Sequence, residues 1–272
     1  MTESSDVQIV DPLQSICDDL EAETAELVRI LVKLPPPGWD VPTPAVGWTV
    51  RDQISHLAFF DETATLAATD AEAFSTSAKT LMESRDPDVA GLARGRAMKP
   101  MALLSWLTSA RGAMLAAFRP LDAKTRLPWY GPPMAATSFA TARLMETWAH
   151  GQDVADAVGA TRTPTDRLRH IAHIGVRARP FSYATNRRDV PDGLIRVALR
   201  GPAGDVWTWN DEAGDTNTVT GDAIDFCLVV TQRRHVADTA LRVHGPLATD
   251  WIAIAQAFAG APGTGRAPGQ FA

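Results

Sequence analysis

The chain has 272 residues, enough for one large domain or two modest ones, and either can bury a core. Its 26 Lys and Arg against 32 Asp and Glu leave a net charge of -6, which argues against non-specific binding to nucleic acid or anionic membranes, since both need a basic surface. The opening MTESSDVQIVDPLQ lacks the charged-then-apolar pattern of an export signal, and no apolar run reaches the roughly 18 residues of a membrane span. Cys17 and Cys227 stand far apart, outside any disulfide or CxxC framework, so a reducing, cytoplasmic setting is expected.

The first half reads as helices. Leu13, Ile16, Cys17, Leu20, Thr24, Leu27, Leu31 and Leu34 recur at helical spacing and predict a core-facing stripe, which the run PPPG at 35–38 ends. Thr49 with Asp52 three residues on is a variant capping box and predicts a second helix over about 50–70. A third helix is expected over about 97–119. A rigid proline-rich loop, PWYGPPMAATS, precedes a fourth helix, capped at Thr137 or Ser138 and running through Val158. Four long helices connected in this way suggest a bundle over residues 1–160.

GATRTPTDR then reads as a linker into a small α+β domain over 166–272. Its expected parts are one helix through RLRHIAHIGVRARPFSYATN, two strands around the turn in LIRVALRGPAGDVWTWN and a helix capped by Asp222. A short strand in TALRVHG, a last helix in ATDWIAIAQAFAG and a loose tail, APGTGRAPGQFA, complete it.

The chemistry is concentrated in RLMETWAHGQD, residues 143–153. Glu146 and His150 are one helical turn apart and can reach one ion, and a carboxylate with an imidazole suits Zn²⁺ or another divalent first-row metal. The same Arg143, Glu146, His150 and Asp153 equally describe the solvated side of an amphipathic helix. His56 bears on the choice. In GWTVRDQISHLAFFDETA it falls beside Asp52, Phe59, Phe60 and Thr63 and points inward, where an imidazole needs a hydrogen-bond partner or an ion.

GWTVRDQISHLAFFD followed some ninety residues later by ETWAHGQDVADAVG resembles the DinB-like metalloprotein superfamily, and within it the actinobacterial branch related to mycothiol-dependent maleylpyruvate isomerase. The resemblance covers the whole chain. It implies an α+β protein, with an N-terminal DinB-like four-helix bundle followed by a small sterol-carrier-like α+β domain. It also implies metal ligation by His56, Glu146 and His150, most simply of zinc, and a low-molecular-weight thiol cofactor, mycothiol. In that branch an arginine of the C-terminal domain helps hold the anionic substrate, and Arg233 is the matching position. The usual Gly-Arg is here Gln232-Arg233-Arg234.

An open divalent ion stabilises thiolate over thiol, so the resemblance implies cis–trans isomerisation or S-transfer on a small electrophilic, anionic substrate. Two other readings stand beside it. One is a thiol-independent metalloenzyme working by Lewis-acid or metal-activated water chemistry, and the other is a non-catalytic metal or ligand binder. Asp153 is read as a group that orients a ligand or binds a cation, against a plain surface carboxylate. Asp52 has the same potential, against helix capping. Arg85, Arg94 and Arg96 lie in the loop before the third helix and are read as solvated, against the alternative that they reach the site. Trp48, Trp129, Tyr130 and Trp148 flank the ligand segments as pocket wall or core, and both cysteines read as buried filler. The expected partners are small molecules, with neither nucleic acid nor membrane, in a monomer or homodimer.

Overall fold

Asp11 accepts a hydrogen bond from the Leu13 amide at 2.8 Å, and Pro12, with no amide hydrogen to satisfy, starts helix α1 (Pro12–Leu31). The computed structural model describes residues 11–83 and 91–271. The predicted stripe of α1 is buried from Leu13 to Leu31, and Glu23 joins it. Contacts within the chain divide it into two compact units, Met1–Thr147 and Trp148–Ala272.

In the first unit, the Thr49 amide and hydroxyl both donate to Asp52, at 3.0 and 2.9 Å, and open α2 (Val50–Thr69) at the predicted residue. Two further helices follow. In α3 (Ala71–Glu83) Ala71, Phe74, Ala78 and Leu81 recur at helical spacing, and Phe74 and Ala78 are buried. The other, α4 (Leu92–Arg96), is a single turn pressed against α2, and a Cβ on Gly95 would lie 1.6 Å from Ser55 Oγ. Next comes α5 (Pro100–Phe118), started by Pro100 and packed on α1 and α2. Alone among the described helices, α5 is long and apolar enough to cross a membrane, with a mean hydropathy of 1.3 where the sequence showed no unbroken apolar run. Half of that stretch is buried, and its Arg111 is bonded to Asp61 of α2, as in a core helix. The proline-rich loop forms a two-stranded ribbon, β1 (Arg126–Leu127) and β2 (Met134–Ala135), which feeds α6 (Ala136–Val158). Helix α6 is unbroken, and the division between the units falls within it.

The second unit is an α+β layer pair. The predicted single helix after the linker is two, α7 (Leu168–Arg177) and α8 (Arg179–Thr185), because Pro180 cannot continue the helix hydrogen bonds. Strands β3 (Arg196–Arg200), β4 (Val206–Trp209), β5 (Thr218–Asp222) and β6 (Arg242–His244) form one sheet in the order β4-β3-β5-β6. The central pair, β3 and β5, is parallel, with Val197 opposite Val219, and the outer pairs are antiparallel. Helix α9 (Ala223–Val230) packs on this sheet and on α7, burying Phe226, Val229 and Val230. Asp222 precedes α9 as predicted, yet its carboxylate accepts from Arg200 at 2.6 Å and makes no side-chain cap bond. The last helix, α10 (Pro246–Ile252), starts earlier and stops sooner than predicted, and the chain continues as coil. That coil is not a loose tail. Gly269 donates to Asp238 at 2.7 Å, and Arg266 is paired with Asp153.

Candidate metal centre

The side of α6 carrying Arg143, Glu146, His150 and Asp153 is not a wet face. Arg143 is 3 %, His150 8 % and Asp153 0 % exposed, and Glu146 is half-buried. A charged helix face can be buried only if its groups find partners or an ion. Arg143 is bonded to Asp61 and Asp153 to Arg233 and Arg266, and Glu146 and His150 gather with His56 of α2.

One donor atom from each of His56, Glu146 and His150 lies within 4.8 Å of the other two, and His56 Nε2 is 3.9 Å from a Glu146 carboxylate oxygen. Bonds of about 2.0–2.2 Å from an ion to nitrogen and oxygen donors put neighbouring ligands roughly 3–4 Å apart, close to the spacing of these three donors. Two imidazoles and a carboxylate are the donor chemistry of an open divalent site, and the residues present fit such an ion.

The position of these donors is set by a buried charge network one layer away. Asp61 of α2, with no exposed surface, accepts from Arg111 Nε of α5 at 2.8 Å and from Arg143 Nε of α6 at 3.0 Å. Arg111 also donates to Thr147 at 2.9 Å, and Arg143 donates to the Leu57 carbonyl at 3.2 Å. Leu57 follows His56, and Thr147 follows Glu146. The network therefore fixes the rotation of both ligand helices. The sequence pattern missed it because Arg111 and Asp61 sit in otherwise ordinary apolar helices.

Around His56 the walls are aromatic. Its ring centroid is 5.3 Å from Trp48 and 4.6 Å from Phe60, and Phe60 lies 6.0 and 5.8 Å from Trp129 and Tyr130. Of the expected wall residues, Trp48 is half-buried against His56, while Trp129 and Tyr130 are half-buried against Phe60 and Phe74, and burial pushes the Tyr130 phenol up, keeping it a neutral donor. Trp148 is buried, with Arg162 over its ring at 5.5 Å.

Asp52 is the helix cap. Its carboxylate binds Thr49 and Arg96, the latter at 2.8 and 3.1 Å. Burial pushes this carboxyl up, but the bonds from Arg96 and Thr49 outweigh it and hold it below the ordinary range. Arg94 pairs with Glu62 at 2.9 Å and stacks on Trp106 at 3.8 Å; it and Arg96 are exposed as expected, but they belong to the turn α4 and not to a loop. Arg85 lies outside the described residues.

One turn beyond His150, Asp153 is a buried anchor for two arginines and not a plain surface carboxylate. Its Oδ2 accepts from Arg233 at 2.8 Å and its Oδ1 from Arg266 at 2.7 Å. Arg234 turns to Asp156 at 2.7 Å. Gln232 before them holds the left-handed conformation, φ 60°, where glycine would be unstrained. Sequence reasoning missed Arg266, which sits in a Gly- and Pro-rich segment with no periodic signal. Cys17 and Cys227 are both fully buried, and burial pushes both thiols up.

A helical domain that brings a histidine and a Glu-x-x-x-His pair together from two helices, followed by a small sheet domain, defines the DinB-like class in its actinobacterial branch. Residues 20–155 match the family model described as "Mycothiol maleylpyruvate isomerase N-terminal domain", and the chain belongs to that family. It is 44 % identical over 253 residues to an uncharacterized protein of Mycobacterium tuberculosis, found alike in strains CDC 1551 / Oshkosh and ATCC 25618 / H37Rv, covering 91 % of this chain and 96 % of the relative. Among solved structures, it is similar to the mycothiol-dependent maleylpyruvate isomerase (TM-score 0.55, 17 % identity) and to a histidine-to-alanine variant of that enzyme (TM-score 0.54, 16 % identity). Each match covers 82 % of this chain and 90 % of the other. At that identity the likeness speaks to fold.

Proposed function

We propose that the protein is a divalent-metal-dependent enzyme that uses a small-thiol cofactor, mycothiol, to isomerise or S-transfer to a small electrophilic, anionic substrate. The observation that carries this reading is the convergence of His56, Glu146 and His150 within 4.8 Å on two helices held in register by buried ion pairs. The family supports the thiol link, and so do the cysteines of the chain. Both are buried with raised pKa values, so neither is a ready nucleophile and any sulfur chemistry would use a thiol from outside the chain.

His56, Glu146 and His150 would hold the ion, most simply zinc. Bound there, it would supply a cation that favours thiolate over thiol and an open position for a ligand. Trp48, Phe60, Trp129 and Tyr130 exclude water from the His56 side. Asp153 holds Arg233 by a 2.8 Å hydrogen bond, and that guanidinium would hold an anionic group of the substrate. Positioning of this kind lowers the barrier by holding reacting groups in near-attack geometry. The setting we infer is cytoplasmic, where low-molecular-weight thiols are kept reduced.

His56→Ala and His150→Ala are expected to lose bound metal, measured by elemental analysis, and to lower turnover of a cis-unsaturated diacid in the presence of mycothiol at least 100-fold. Metal-free protein with full turnover would refute the metal. Equal turnover after removal of every small thiol would instead favour Lewis-acid or metal-activated water chemistry.

A further inference from the structure

Strand β4 is an edge of its sheet, with β3 on one side and no strand on the other among the described residues. The hairpin fixes which backbone groups that edge presents. The Gly201 amide donates to the Asp205 carbonyl, so strict alternation makes Leu199 with Trp207 and Val197 with Trp209 the hydrogen-bonded pairs. The N–H and C=O groups of Val206 and Thr208 therefore point away from β3, along the open edge. Both residues are exposed, Val206 by 65 %. Unpaired groups in such a row are a template for another strand.

Beside this edge, helix α7 carries a row of cations. Arg169, His173 and Arg177 are each one turn apart and exposed. Arg169 lies 6.0 Å from the Trp207 ring, and Trp209 Nε1 donates to His173 Nδ1 at 3.2 Å. With Nδ1 accepting, a neutral His173 carries its proton on Nε2 and offers a donor there. Neither arginine has an ion-pair partner among the described residues. The carboxylates at the ends of β4 are held by β4 itself. Asp205 accepts from Trp207 Nε1 at 2.6 Å and Asp211 from Thr208 Oγ1 at 2.7 Å.

The two spacings match. Four residues of helix rise about 6 Å and two residues of strand about 6.6 Å, so the step from Arg169 to His173 runs beside the step from Trp207 to Trp209. A strand added to the edge would turn alternate side chains toward α7 at that same interval. Acidic side chains there would meet the cations, and those between them would lie beside Val206 and Thr208 on the other face. A second copy of β4 fits poorly, because a symmetric pairing of edges sets one row of cations near the other. We propose that the open edge of β4 and the Arg169–His173–Arg177 row of α7 form a docking site for an extended acidic segment of a partner protein. The segment binds by strand addition, with its acidic residues at alternate positions. This site lies wholly within the second unit, uses none of the metal-centre residues and stands apart from the reading of that centre.

The test is calorimetric titration of the full chain with a capped octapeptide that has glutamate at its third, fifth and seventh positions and valine or threonine between them. This peptide is expected to bind, and one of the same composition with its three glutamates consecutive should bind at least tenfold more weakly. Two further peptides carry methyl groups on the backbone nitrogens, one on the glutamates and the other on the residues between. Only one set of amides can face β4, so one methylated peptide should lose at least tenfold in affinity and the other less than threefold. Arg169→Gln combined with Arg177→Gln should weaken binding at least tenfold with the melting temperature unchanged. Val206→Pro removes an outward N–H while sparing the bonds to β3, and should weaken binding as well. No binding by the native chain, equal affinity for the two glutamate arrangements or for the two methylated peptides, or unchanged affinity in the double variant would overturn the proposal. Tighter binding of a single-stranded RNA octamer would give the row to nucleic acid and overturn it. A native dimer that Val206→Pro dissociates would do the same by giving the edge to a second copy.

Discussion

Asp61 is the residue on which the geometry of both ligand helices depends. It is fully buried, and the two guanidinium groups it neutralises belong to different helices. Burial and the neighbouring Arg143 pull the Arg111 guanidinium below its ordinary value against the opposing charge of Asp61, so loss of the carboxylate leaves two buried like charges facing each other. Asp61→Ala is therefore expected to lower the unfolding free energy by about 3–5 kcal/mol in urea, the usual cost of breaking a buried pair from one side. A loss below about 1 kcal/mol would mean that the network is not the brace described above. The surface pair Arg29 with Glu26 makes a useful contrast, because both side chains are largely exposed and its removal should change stability little.

At the scale of single elements, the ends of helices carry the sharpest expectations. The capping pair of α2 has a pH signature. Because the folded Asp52 carboxyl lies below its ordinary value, the charged form contributes stability above about pH 4, and that contribution is lost as pH falls further through the folded value. Asp52→Asn should cost about 1 kcal/mol near neutrality, and the gap to the native chain should close in acid denaturation below pH 4. At the other end of α9, Gln232 adopts φ 60° and recovers part of the strain by donating to the Ala255 carbonyl at 3.3 Å. Gln232→Gly should hold or raise stability by up to about 1 kcal/mol, whereas the β-branched Gln232→Val should lower it by more than about 1 kcal/mol. Equal effects of the two would contradict the left-handed assignment. Helix α4 shows why some elements were not legible: a single turn is specified by what it touches, here Ser55 against Gly95.

For the molecule as a whole, the expected ion links folding to metal. A ligand that binds only the folded chain stabilises it by RT ln(1 + [L]/Kd), about 2.7 kcal/mol at a hundredfold excess over Kd. Chelated protein should therefore melt at a higher temperature on addition of zinc, with the shift growing with zinc concentration, and His150→Ala should abolish the shift while leaving the metal-free melting temperature within a few degrees. A rise retained in that variant would put the stabilising ion elsewhere.

By itself, the sequence determined what is local and periodic. The stripe of α1, the Thr49–Asp52 start of α2, the end of α6 at Val158 and the hairpin at 196–209 follow from side-chain spacing and from backbone bonds made within a few residues. The Glu146–His150 pair was legible for the same reason, since helical spacing alone aligns it. The start of α6 was not: it lies at Ala136, ahead of the expected cap at Thr137 or Ser138, and the Thr137 hydroxyl donates to the Ala123 carbonyl instead. Only the tertiary structure decided whether that helix face was wet or buried, because burial depends on what the rest of the chain lays against it. It alone brought His56 to the pair, joined Asp61 to arginines 50 and 82 residues away, and tied Arg266 to Asp153 across 113 residues. Pairings of charges so distant in sequence leave no period to read, and they form only where packing removes water and makes each charge require its partner.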